Sequence, residues 1–153
     1  MWNDQKAKAR AEIDERLSVL RPIGRFAPPP KGWVRAIRDA LGLTMEQYGR
    51  RLGVKRQSVM DLETSEASGA IQLKSLRAAA AALDCTLFYA LVPNQGLENT
   101  VETLARRIAD RELSFVEHSM ALDGQGLDRT ARQQRLDRYI RETLTEKRLW
   151  DQS

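Results

Sequence analysis

The sequence predicts an all-α, mostly α-helical protein: a core of four short helices, one short β-strand after it, and longer helices flanking both. Three observations carry this expectation. Apolar residues recur at helical spacing through most of the chain. Glycines and a threonine cut the middle third into short pieces, and the helical period is lost at Thr86–Val92, which is apolar on both alternate faces and ends at Pro93-Asn94. Composition agrees: 42% of the 153 residues are apolar and 30% charged, enough for a core and against general disorder. Aromatics at 6%, with nine Gly and five Pro, argue against an all-β sandwich.

Gln5 to Leu20 carries Ile13, Leu17 and Leu20 at helical spacing and reads as an amphipathic helix. Arg21-Pro22 ends it, and Pro28-Pro29-Pro30 forms a stiff connector. Residues 1–30 are therefore expected to be a helix plus connector. In residues 31–84 the first apolar stripe is Trp33/Val34, Ile37 and Leu41, closed by Gly42. Thr44 is a good N-cap for a second helix that runs to Leu52 and stops at Gly53. A third spans about Arg56 to Glu63 and is expected to bury Val59 and Leu62, with Ser65–Gly69 as a loop. The fourth carries Leu73, Leu76, Ala80 and Leu83.

Residues 85–93 are expected to hold the strand, made of Thr86, Leu87, Phe88, Tyr89, Ala90, Leu91 and Val92. A lone strand leaves its backbone polar groups unpaired. Ile23–Phe26 is a weak internal partner and a second copy of the strand a better one, so a homodimer is expected. Residues 94–153 read as helical again. One stripe runs through Val101, Leu104, Ile108, Phe115 and Val116 to Leu122, with a break at Gly124 and Gly126. A last helix runs from Arg129 to about Leu149, with Leu136, Ile140 and Leu144 on one face.

Several chemistries are excluded. One cysteine (Cys85) and one histidine (His118) cannot form an intrachain disulfide or supply a four-ligand zinc site. No nucleotide loop, metal set or catalytic triad can be assembled, so neither an enzyme nor a cofactor is expected. Cys85 reads as a small buried hydrophobe, His118 as a structural or partner-facing residue, and Trp33 as a packing residue. The longest apolar runs, Ala78–Leu83 and Leu87–Val92, are six residues each, against the ~18–20 that span a bilayer. No membrane association is expected. The start, Met-Trp-Asn-Asp-Gln-Lys, lacks the apolar run of a secretory signal, which makes a cytoplasmic location the expectation. The formal charge of +4 permits nucleic-acid binding without requiring it.

The informative stretch is Thr44 to Glu63, TMEQYGRRLGVKRQSVMDLE. Two short helices joined by a tight turn need a small residue facing that turn, and Gly49 stands there. Gly53 supplies the turn. Val54, Val59 and Leu62 would fasten the second helix, leaving Lys55, Arg56, Gln57 and Ser58 exposed at its start. Arg can read guanine, Gln can read adenine, and Lys and Ser reach phosphates, so double-stranded DNA is the expected partner.

On these residues the stretch from Trp33 to Leu83 resembles the phage-repressor (Cro-type, XRE) helix-turn-helix proteins. The resemblance implies Arg56 and Gln57 as leading base readers, with Asp61 one turn on. It implies Thr44, Lys55 and Ser58 as phosphate or near-backbone contacts. It also implies an ion pair between Arg38 of the first helix and Glu63 at the end of the recognition helix. Gly49 stands where that family usually has Ala. Arg50, Arg51 and Lys74 read first as solvated charges and only second as phosphate contacts.

A wider resemblance covers GWVRAIRDALGLTMEQYGRRLGV, SGAIQLKSLRAAAAALDCTLFYALVPN and VEHSMAL. These runs are similar to the mobile mystery protein A family. That resemblance implies a DNA-binding partner of a Fic-domain protein, mobile mystery protein B, in an arrangement like a toxin–antitoxin pair. Antitoxins of the HipB type are similar in having a four-helix core followed by a dimer-forming strand. Fic inhibitors commonly carry a Ser/Thr-x-x-x-Glu helix, and no Glu here has Ser or Thr four residues before it. The reading is therefore a sequence-specific regulator that binds an inverted repeat as a homodimer. Its alternative is an antitoxin-like protein that mainly grips a Fic partner, through the terminal helices or another surface.

Overall fold

The computed structural model describes residues 2–122 and 128–151. Eight α-helices and one 3-10 helix account for its regular structure, and no strand occurs among the described residues. The chain divides into two compact units, one of residues 22–91 and one of residues 1–21 with 92–153. Each has its own core.

In the 22–91 unit, a 3-10 turn at Ile23–Phe26 precedes α2 (Trp33–Ala40), α3 (Met45–Leu52), α4 (Arg56–Ser68) and α5 (Leu73–Ala82). Val34, Tyr48, Val59, Ala79 and Leu83 are its buried centre, with Ile37, Leu43, Met45, Leu52, Leu62, Leu76 and Cys85 packed around them. Trp33, Leu41 and Val54 are largely exposed, so α2 buries a narrower stripe than its sequence suggests and Val54 is not a core residue.

Helix α4 continues through Ser65–Ser68, where the sequence reads as a loop, and is closed by Gly69 in the left-handed region. Thr64 and Ser68 donate their hydroxyls to the carbonyls of Met60 and Ser65, so these polar side chains are satisfied within the helix. This last turn carries Glu66, whose carboxylate accepts from the backbone N–H of Trp33 and Val34 at 3.1 and 2.8 Å. The N-cap of α2 is Gly32, which has no side chain for the purpose. Glu66 therefore caps α2 from another helix, and a Cβ on Gly32 would meet its Oε1 at 2.5 Å.

The expected strand Thr86–Val92 is absent. The segment after α5 has no regular structure and no ladder hydrogen bonds among the described residues, and Phe88, Tyr89 and Leu91 are exposed. Its pattern of large apolar residues suits a pleated surface, but β-propensity acts through cross-strand packing, which one segment cannot supply to itself. The internal candidate Ile23–Phe26 is the 3-10 turn, closed by an N–H of Ala27 bonded to the Gly24 carbonyl. A dimer-forming strand is therefore not a feature of this fold.

The other unit holds α1 (Asp4–Ser18), α6 (Leu97–Leu122), α7 (Arg129–Glu142) and α8 (Glu146–Trp150). Val101, Ala105, Ile108, Leu144 and Leu149 are buried together, with Trp2, Leu104, Tyr139 and Ile140 against them. Phe115 and Val116 are exposed, so the buried stripe of α6 stops short of them. The side chain of Leu122, and the break at Gly124 and Gly126, lie outside the described residues. The single helix expected to Leu149 is two, parted at Thr143–Thr145, and the break lets both Leu144 and Leu149 turn inward.

Asp14 of α1 caps α6 through the N–H groups of Leu97 and Glu98, at 2.7 and 3.1 Å. Those bonds hold its carboxyl below the usual carboxylate range. Arg132 of α7 bridges Asp110 and Glu117 of α6 at 2.5 and 3.0 Å. No helix among the described residues is long and apolar enough to cross a membrane.

Candidate nucleic-acid interface

The exposed start of α4 stands on a rigid base. Thr44 is the N-cap of α3: its hydroxyl accepts from Gln47 N at 3.1 Å while the Gln47 side chain accepts from Thr44 N at 2.9 Å. Gly53 ends α3 with φ at +73°. The two helices then cross so closely that a Cβ on Gly49 would sit 2.6 Å from the Val54 carbonyl oxygen. Gly49 is thus needed for its missing side chain, and even alanine would force the turn open.

Behind α4 lies a set of buried polar groups. Arg38 and Glu63 are each only 5% exposed. Arg38 Nε donates to Glu63 Oε1 at 2.5 Å and a terminal nitrogen donates to Oε2 at 3.3 Å. Its other terminal nitrogen donates to the Leu43 carbonyl at 2.8 Å and sits 2.8 Å from Asp39. The guanidinium is therefore held charged, above its ordinary value, chiefly by the Glu63 hydrogen bond. It ties α2, the turn before α3, and α4 into one body.

Tyr48 is fully buried beside this pair and donates from its phenol to the Ala79 carbonyl at 2.7 Å, joining α3 to α5. Burial, reinforced by the carboxylates of Glu63 and Glu66, pushes that phenol up to about 12. Sequence reasoning missed Tyr48. A tyrosine in a short charged helix reads as surface, and the carbonyl it needs is 31 residues away.

Thr44, Lys55, Arg56, Gln57, Ser58 and Asp61 are all exposed, the first at the start of α3 and the rest on the first two turns of α4. Lys55 is the N-cap of α4 and makes no side-chain cap, so the first backbone N–H groups of α4 have no cap from it. Arg56 Nε lies 3.1 Å from Glu46 Oε1 on α3. Gln57 Nε2 donates to Asp61 Oδ1 at 3.0 Å. Glu46 went unremarked in the sequence because an acid in a first helical turn has a sufficient local reason to be there. Thr44 and Ser58 make no contact that joins them to these pairs among the described residues.

Residues 34–89 match the family model described as Helix-turn-helix. The chain carries a Cro-type helix-turn-helix DNA-binding domain. In that domain α3 and α4 are the two helices of the motif, and Gly49 and Gly53 shape its turn. Comparison with curated proteins and with solved structures found no match. Elsewhere in the chain, Cys85 is half-buried and His118 exposed. No group of three or more His, Cys, Asp or Glu is placed to hold a metal ion among the described residues.

Proposed function

We propose that this protein is a sequence-specific transcriptional regulator that reads DNA with the start of α4. The observation that carries this reading is the exposure of Arg56 and Gln57 at the head of a helix whose other side is fastened by Val59 and the Arg38–Glu63 pair. Such a helix enters a major groove amino-end first, where Arg matches guanine and Gln matches adenine. Lys55, Ser58 and Thr44 flank it at positions suited to phosphates, and Asp61 lies one turn along the same face.

One recognition helix reads too few base pairs to select a single promoter. Two copies of the chain, reading half-sites about 10 bp apart in an inverted repeat, supply the rest. The exposed side chains of Phe88, Tyr89 and Leu91 are apolar surface for a second copy to cover, with no strand pairing required. The regulator would repress its own gene and work in the cytoplasm.

Fluorescence anisotropy tests the reading: wild type and the Arg56→Ala/Gln57→Ala variant against a duplex from upstream of the gene and a scrambled duplex. A preference of at least ~10³ for the native duplex, abolished by the substitutions, is expected. Equal binding to both duplexes, insensitive to the substitutions, overturns it. Light scattering that reports a monomer at micromolar concentration removes the homodimer.

A second reading is favoured by the separate unit of α1 and α6–α8, which DNA reading does not need. In it the chain is antitoxin-like, and that unit grips a Fic-domain partner. Co-purification with a co-expressed Fic protein, lost on deletion of residues after Pro93, is the expected result.

A further inference from the structure

Both candidate base readers are tied to a carboxylate. Arg56 Nε is 3.1 Å from Glu46, and Gln57 Nε2 is 3.0 Å from Asp61. All four side chains are exposed, so neither pair is explained by the core or adds much stability. We propose that Glu46 and Asp61 are positioning residues that set the base preference of the reading head, an inference that rests on the DNA-binding reading above.

The chemistry differs at the two pairs. A guanidinium can meet guanine O6 and N7 through its two terminal nitrogens, or side-on through Nε and one terminal nitrogen. With Nε held by Glu46, only the terminal pair is open, and its direction is set by α3. At Gln57, a carboxylate accepts hydrogen bonds and gives none, so Asp61 can face only the NH2 end of the amide. The amide is thereby fixed in one of its two flipped states. The same Nε2 lies 3.9 Å from Met60 Sδ, a weak acceptor that a base edge displaces, so its second N–H and the Oε1 present one donor and one acceptor in a fixed order, the pattern that adenine N7 and N6 complement. Without Asp61 the amide is free to turn over and offer the pair in reverse.

The two carboxylates also offset the positive charge that Arg56 brings to a face meant for phosphates. They therefore lower binding to any DNA while sharpening binding to the right one. A loss of discrimination confined to one base pair, together with a rise in affinity for any DNA, distinguishes positioning from a structural role, which lowers discrimination across the whole site without that rise.

The test uses the full chain. Wild-type protein selects duplexes from a randomised pool, and anisotropy then measures affinity for the selected duplex, its single base-pair variants and a scrambled duplex. Glu46→Ala is expected to cost about tenfold in discrimination at the base pair that Arg56→Ala relaxes, and to raise affinity for the scrambled duplex. Combining it with Arg56→Ala should cost nothing further at that base pair. Glu46→Gln keeps an acceptor and should keep part of the discrimination. Asp61→Ala is expected to act the same way at the base pair that Gln57→Ala relaxes. The proposal is overturned if the wild type selects a motif yet Glu46→Ala and Asp61→Ala leave every ratio unchanged, or if Arg56→Ala and Gln57→Ala relax no base pair. If the wild type selects no motif, the DNA-binding reading itself fails and the proposal falls with it.

Discussion

Glu63 has only Arg38 as a hydrogen-bonding partner among the described residues, whereas Arg38 also holds the Leu43 carbonyl and Asp39. Removing either member of this pair should therefore have unequal effects. Breaking a buried ion pair costs ~3–5 kcal/mol, because the survivor stays desolvated and unpaired. In Glu63→Ala the guanidinium keeps two contacts, so the cost should fall near ~3 kcal/mol, the low end of that range. In Arg38→Met the carboxylate keeps none, and the cost should approach ~5 kcal/mol. For a unit of about 70 residues, each kcal/mol moves Tm by roughly 4–8 °C, so Glu63→Ala should melt roughly 12–24 °C lower. The double variant Arg38→Met/Glu63→Leu, which removes both charges, should recover most of the loss. Urea and thermal unfolding of the full chain, followed by circular dichroism, read all three. Losses below ~1 kcal/mol for both single variants would show that the pair behaves as a surface pair and is not buried in effect. A double variant as unstable as the worse single one would likewise rule out a cost that comes from the unpaired survivor.

Three other perturbations follow from the same packing. Gly49→Ala gains ~1 kcal/mol of helix propensity but drives a Cβ to 2.6 Å from the Val54 carbonyl, an overpacking worth ~1–3 kcal/mol, so a net loss of about 1 kcal/mol is expected in urea unfolding. Tyr48 ionises near pH 10 when unfolded and near 12 when folded, so its share of stability is intact below pH 10 and is lost as pH rises from 10 to 12. That share is on the order of 3 kcal/mol, and Tyr48→Phe should flatten the alkaline limb of the stability curve. Asp14 has a depressed pKa, so its contribution is present above its unfolded value near pH 4 and is lost as pH falls through the folded one. Asp14→Ala should lower the Tm of its unit at pH 7 and remove that part of the acid sensitivity, as melts at pH 7 and pH 3 would show.

What could be read from the sequence was whatever local geometry dictates. Thr44 as a cap and Gly49 and Gly53 as turn residues need only their neighbours to explain them, and α3 and α4 follow. The strand at Thr86–Val92 failed for the opposite reason. A short run of large apolar residues says that a segment could be paired, not that a partner lies within reach. The Ser65–Ser68 turn was hidden by its two serines beside Gly69, and its Glu66 is held by contacts with α2 that a sequence does not display. Glu66 caps α2 across more than thirty residues, and Tyr48 finds its carbonyl across as many. Thr143–Thr145 did carry a local stop signal, since Thr145 stands at an N-cap position, but the apolar spacing through Leu144 and Leu149 suited one continuous helix as well.

The contacts missing from the local sequence are those that aim the reading helix. The direction of α4 follows from how it leans on its neighbours, and two polar contacts set that lean: Arg38 to Glu63, and Glu66 to the start of α2. Each joins α4 to a preceding helix, and each uses a carboxylate. Apolar packing at Val59 and Leu62 holds the helices together but tolerates small rotations, because dispersion is non-directional. Hydrogen-bonded pairs do not tolerate them, since their energy depends on angle. A helix that must place an Arg and a Gln against particular base edges needs that angular control more than it needs added stability. Isosteric apolar replacement of Arg38 and Glu63 should accordingly leave the fold intact and affinity for scrambled DNA unchanged, while discrimination between base pairs declines.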